Sequence, residues 1–183
     1  SVELFNYQNA KAMLKKNVED ALNAQILKEE HSSRIYLAMA IWCEANGYPG
    51  AAAFLYRQSD EERMHQLKLV HYVNDRGGKA VIGSLETPEA SYNSLVDVFQ
   101  KVMKHEQYIT ESINDVYAIT LEEKDYTTGN FLQWYINEQI EEESTMSTIL
   151  DKLNLVGDQK GGMFHIDKEL EAMTAAAPSP AAE

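Results

Sequence analysis

Glu29, Glu62, His65, Glu106, Gln139 and Glu142 each interrupt a series of apolar residues that recurs at helical spacing. Glu29 falls between Ile26 and Tyr36, Glu62 and His65 between Leu55 and Leu69, Glu106 between Val102 and Ile109, and Gln139 and Glu142 between Tyr135 and Met146. Residues three or four apart share a helix face, so these side chains point inward with their apolar neighbours. An inward carboxylate is costly unless it is neutralised or holds a metal. Four carboxylates and one imidazole supply hard oxygen and borderline nitrogen donors, a set that suits iron or manganese. Their negative charges would balance two divalent cations, with Glu62, between the two halves, as the natural bridging ligand. Without metal the carboxylates would repel one another, and some would keep their protons at neutral pH.

Spacing is an independent signal. From Glu29 to Glu62 is 33 positions and to His65 is 36; from Glu106 to Gln139 is again 33 and to Glu142 again 36. A shift of 77 relates the two halves, and it also carries Phe54-Leu55 onto Phe131-Leu132 and Glu61 onto Glu138. The chain reads as one helical hairpin used twice. Two such hairpins packed about a pseudo-twofold axis would bring the six polar groups to one point.

The elements that must do this are long helices, because proline and glycine are sparse and far apart. Helices are predicted over about 17–44, 51–76, 94–122 and 127–155, the first ending at Ala45-Asn46-Gly47-Tyr48-Pro49-Gly50 and the second at Gly77-Gly78. At 1.5 Å per residue each would be about 40 Å long. Ser94 is the predicted N-cap of the third. Residues 77–93 carry three glycines and Pro88 without helical periodicity, and are long for a connection inside a compact domain. They predict a crossover along the whole bundle, placing helix three parallel to helix two. A short fifth helix is predicted over about 163–173, after Gly157 and Gly161-Gly162. Residues 1–16 form a predicted N-terminal extension, 17–173 the folded domain, and 174–183, mostly alanine and proline, a disordered tail. No β signal competes, so the fold class is all-α.

With 183 residues, 44% hydrophobic and 25% charged, the chain suits a single domain with an adequate core. A net charge of −13 argues against a nucleic-acid partner and favours attraction of cations. Cys43 is the only cysteine, which excludes an intrachain disulfide and a thiolate-only metal site and fits a reducing compartment. No apolar run approaches the roughly 18 residues of a membrane span, and Ser1 to Lys16 has no apolar signal core. The expectation is a cytoplasmic protein with no membrane partner, or a plastid one if a leader has been removed.

A Glu on helix one, Glu62-Arg63-Met64-His65 on helix two, a Glu on helix three and Gln139-Ile140-Glu141-Glu142 on helix four resemble the ferroxidase centre of ferritins. Ala51-Ala52-Ala53-Phe54-Leu55, Lys104-His105-Glu106-Gln107 and Asn130-Phe131-Leu132-Gln133-Trp134-Tyr135 resemble the bacterial, non-haem type. The resemblance covers about 17–173 and implies a ferritin-like four-helix bundle, with one long crossover between helices two and three and a short fifth C-terminal helix. It implies iron storage and detoxification: ferroxidase oxidation of ferrous iron by O2 or peroxide at a di-iron centre. Ferric mineral would be stored in a homo-oligomeric cage of about 24 subunits, with the fifth helix on a symmetry axis.

By the same resemblance, Glu29, Glu62 and His65 hold one iron and Glu62, Glu106 and Glu142 the other, with Gln139 a nearby polar group. A third iron position would use Glu61, Glu138 and Glu141. Tyr36 matches the tyrosine beside the centre, where it could hydrogen-bond a ligand or donate an electron. Because Gln139 and Glu142 depart from a symmetric catalytic pair, the second iron should bind more weakly and leave after oxidation, which favours storage over a permanent cofactor. Arg63 stands where haem-binding bacterioferritins place a methionine, so no haem is expected. The absence of a cysteine pair argues against rubrerythrin.

Blander readings stand beside these. Glu141-Glu142-Glu143 alone would be a solvated run, Glu61, Glu138 and Glu141 could be a solvated face, and Tyr36 could simply fill the core. His31, His71, His105 and His165 lack a partner at ligand spacing and read as structural or exposed; Trp42 and Trp134 read as core or interface residues. Two competing functions are an oxidase or oxygenase acting on an organic substrate at the same di-metal site, and a non-catalytic helical interaction protein.

Overall fold

The computed structural model describes residues 14–178, and residues 1–13 and 179–183, including most of the predicted extension and half of the predicted tail, lie outside them. Five helices follow in order: α1 Lys16–Ala45, α2 Pro49–Asp75, α3 Leu95–Glu122, α4 Tyr126–Val156 and α5 Lys160–Ala176. The punctuation read from the sequence sets their ends. Gly47 takes a φ of +85°, which lets the chain turn sharply between α1 and α2, and Pro49 opens α2 where its missing N–H costs nothing. Ser94 Oγ accepts from Asp97 N at 3.0 Å while Asp97 Oδ2 accepts from Asn93 N at 3.0 Å, a reciprocal cap that starts α3.

Cross-links fix the topology. Asn17 bonds Glu123, Lys28 bonds Ser112 and Tyr36 bonds Glu106, so α1 and α3 run antiparallel. With α2 antiparallel to α1 across a short turn, α3 must run parallel to α2, and residues 76–94 form the crossover this demands. Asn23 on α1 holds the crossover at two points, donating to Lys79 O at 2.9 Å and accepting from Val81 N at 2.9 Å.

The fifth helix is longer than the sequence suggested. It begins before Gly161-Gly162 and ends at Ala176, so residues 174–176 continue it rather than opening the tail. Its first turn closes through Met163 N to Gln159 O. A Cβ on Gly162 would sit 2.4 Å from Val156 Cγ1, so here glycine permits close packing instead of ending a helix. No helix among the described residues is long and apolar enough to cross a membrane.

The apolar core is split. One cluster includes Tyr36, Met39, Leu55, Phe99, Met146 and Leu153. The other includes Leu22, Ile26, Leu69, Ile109, Ile113 and Leu132. Between them lies a belt of buried polar residues supplied by all four long helices.

Candidate metal centre

Glu29 enters this belt from α1, Glu62 and His65 from α2, Glu106 from α3, and Gln139 and Glu142 from α4, none more than 6% exposed. They form two overlapping triads, Glu29–Glu62–His65 and Glu62–Glu106–Glu142, and within each the candidate ligand atoms lie within 4.8 Å of one another. Glu62, the predicted bridging ligand, belongs to both triads.

Hydrogen bonding divides the triads. Glu29 Oε1 accepts from Gln25 Nε2 at 3.1 Å, and Glu62 Oε2 lies 3.2 Å from His65 Nδ1. Glu29 Oε2 and Glu62 Oε1 are buried with no hydrogen-bond partner. On the other side, Glu106 Oε1 accepts from the Tyr36 hydroxyl and Oε2 from Gln139 Nε2 at 3.0 Å, while Glu142 Oε2 accepts from Gln58 Nε2 at 2.7 Å. Glu29 Oε2 is thus bare in the first triad and Glu62 Oε1 in both, whereas Glu106, in the second alone, has donors on both oxygens. A buried acceptor without a donor needs a proton or a cation. A divalent ion ligated by Glu29, Glu62 and His65 supplies one, so the residues fit a metal.

Burial is the first cause of the electrostatics. It pushes the Glu29 carboxyl well above its ordinary value, with the Glu62 charge adding to the rise. Burial and then the Glu106 charge do the same to Glu62, and burial with the Glu106 and Glu62 charges to Glu142. Glu106 is also raised by burial, opposed by the bonds from Tyr36 and Gln139. The Tyr36 phenol is held well above its usual range by burial and the Glu106 charge. Tyr135 steadies the backbone at His65, its hydroxyl donating to His65 O at 2.6 Å.

The third predicted set is less tightly gathered. Glu61 pairs with Arg57 Nε at 3.3 Å, Glu138 Oε1 lies 3.9 Å from His65 Nε2, and Glu141 is exposed. With Glu142 they line a cavity of about 220 Å³ beside the centre. Among the described residues only the two triads bring three ligand atoms within 4.8 Å, and these three glutamates do not make another. Of the remaining histidines, His71 and His165 are exposed. His105 is half-buried 2.7 Å from Ser32 Oγ and pushed down to about 4 by burial and by His31. Trp42 packs between Tyr48 and Tyr92, and Trp134 lies under Lys68 Nζ, 3.6 Å from its ring centre.

Three participants escaped the sequence reading. Gln25 and Gln58 each stand four residues before a candidate ligand glutamate on its own helix face, a spacing that could have flagged them. Asp167 had no such signal. Its carboxylate accepts from Gly50 N at 3.0 Å and Ala51 N at 2.8 Å, capping α2 from α5 across more than a hundred residues of sequence. A Cβ on Gly50 would lie 1.8 Å from Asp167 O, so this seat requires glycine.

Known proteins are similar to this chain in sequence and in fold. Residues 19–156 match the model of the ferritin-like domain family. A probable bacterial non-heme ferritin-like protein of Haemophilus influenzae is 47% identical over 158 residues, 86% of this chain and 96% of that protein. A bacterial non-heme ferritin of Escherichia coli is 44% identical over 161 residues, 88% of this chain and 98% of that protein. Among solved structures, an open pore ferritin from the archaeon Archaeoglobus fulgidus superposes with a TM-score of 0.86 at 36% identity, covering 88% of this chain and 98% of that one.

Proposed function

This chain belongs to the ferritin family, and from that premise we propose that it stores and detoxifies iron, oxidising it at a two-position centre in the middle of the bundle. Ferrous iron is the substrate. Glu29, Glu62 and His65 hold one ion and Glu62, Glu106 and Glu142 the other, and each ion gives one electron to O2 or hydrogen peroxide. The protein's part is to bring the two ions together over Glu62 and to balance their charge with four carboxylates. Glu29, Glu62 and Glu142 must shed the protons that burial keeps on them, so ion entry displaces protons.

The observation that carries this reading is the pair of buried, donor-free oxygens on Glu29 and Glu62 inside a triad completed by His65. The donors already on both oxygens of Glu106 favour looser binding in the second triad, and so a route by which oxidised iron leaves for storage. Gln139 stays a neutral donor to Glu106, and Tyr36 is the phenol placed to steady that carboxylate or supply an electron. Glu61, Glu138 and Glu141 would receive iron only after rearranging. Storage calls for the homo-oligomeric cage of about 24 subunits that the family implies, closed by symmetry.

Aerobic addition of ferrous iron to the apoprotein, with ferric absorbance and particle mass followed together, tests this. Rapid oxidation with far more iron retained per particle than there are ligand positions is expected. Oxidation that stops at one small cluster in a monomer or dimer would contradict storage.

A further inference from the structure

Gln25 and Ser112 are 0% and 3% exposed, and neither touches the proposed ligand set except through one bond. A buried amide and a buried hydroxyl must find partners, and theirs run in a single line. Lys28 Nζ lies 2.8 Å from Ser112 Oγ, Ser112 Oγ lies 2.6 Å from Gln25 Oε1, and Gln25 Nε2 lies 3.1 Å from Glu29 Oε1. An ammonium group can only donate. Ser112 therefore accepts from Lys28 and sends its one proton to Gln25, whose carbonyl faces the serine and whose amide N–H₂ faces Glu29. With Gln25 Oε1 facing the serine and Nε2 facing Glu29, every bond donates in the same sense, from the cation toward the carboxylate.

We propose that Lys28, Ser112 and Gln25 form a positioning chain for Glu29, joining a half-buried lysine on α1 to the carboxylate of the tighter iron position. The chain pins Glu29 Oε1 and leaves Oε2, which has no hydrogen-bond partner, as the oxygen offered to the ion. Fixing one oxygen selects one-oxygen ligation and spares the ordering entropy that a free carboxylate would lose on binding. Once an ion has displaced the Glu29 proton, charge at both ends strengthens the bonds between. Glu106, by contrast, has donors on both oxygens. The proposal rests on the reading of Glu29 as an iron ligand.

Co²⁺, a redox-silent divalent ion with visible absorption in such ligand sets, serves as the probe in the assembled apoprotein. Lys28→Met should weaken the tighter Co²⁺ position about threefold and Gln25→Met about tenfold, the loss usual for partners that orient a metal ligand. The looser position and the melting temperature should barely change, and Lys28→Arg should restore binding. Once Gln25→Met has cut the chain, adding Lys28→Met should cost nothing further. Unchanged affinity in Lys28→Met would overturn the proposal. An equal threefold loss with or without Gln25 would do so too, since that is a lysine acting through space. If Glu29→Ala leaves the tighter position intact, it is the ligand assignment that fails, and the chain falls with it.

Discussion

The two triads share Glu62 and the same burial, yet they are finished differently. The first has Glu29, whose Oε2 is bare, where the second has Glu106, whose two oxygens accept from Tyr36 and Gln139. A cation entering the first triad relieves an unsatisfied interior. One entering the second must displace or share bonds already made, so its net gain is smaller. The internal repeat builds two positions, and the residues around the repeat make them unequal.

Removing the shared ligand should erase the comparison. Glu62→Gln is expected to lower the rate of ferrous oxidation by more than about a hundredfold, read by ferric absorbance. The same change puts a neutral amide where burial disfavours a carboxylate, so the apoprotein should melt higher, by about 2–4 °C for each kcal/mol recovered. An apoprotein that melts lower would mean that the carboxylate carries a structural bond as well.

Separating the halves is the next largest effect. Glu29→Ala should abolish the tighter Co²⁺ position and leave the looser one measurable, and Glu142→Ala should do the reverse. Equal losses from the two variants would show positions of equal strength.

A smaller change should narrow the difference. Tyr36→Phe strips the donor from Glu106 Oε1, so Co²⁺ should bind the second position about threefold to tenfold more tightly. Oxidised iron should then leave it more slowly, and single-turnover regeneration of the centre would show this as a longer recovery time.

Titration gives the mildest test. Glu29, Glu62, Glu106 and Glu142 have folded values raised above the ordinary 4.5. Above that value the unfolded chain has released these protons while the folded apoprotein still holds them. Their contribution to stability is thus full below about 4.5 and declines as pH climbs through the raised values. Metal takes the protons' place, so the melting-temperature gain from Co²⁺ should grow as pH rises from about 5 to about 8. A gain independent of pH would mean that no protons are displaced.

What the sequence could reveal follows from distance along the chain. The helices and the clustering of Glu29, Glu62, His65, Glu106 and Glu142 were legible because helical periodicity is local, and because these residues stand at fixed separations that survive folding. The crossover was legible from the aperiodic residues 77–93. The unequal finish of the two triads was not, since it depends on which oxygen Tyr36 or Gln58 reaches from another helix. Nor was the Asp167 cap, which joins α5 to the start of α2. Gly161-Gly162 misled for a related reason: glycine marks both helix ends and close packing, and only the nearby Val156 side chain decides between them.

Anaerobic equilibrium titration of the apoprotein with ferrous iron tests the inequality of the two positions most directly. Two positions per subunit are predicted, differing at least about tenfold in affinity, with the tighter one alone abolished by Glu29→Ala. Two positions of equal affinity, or a tighter one that survives Glu29→Ala, would contradict it.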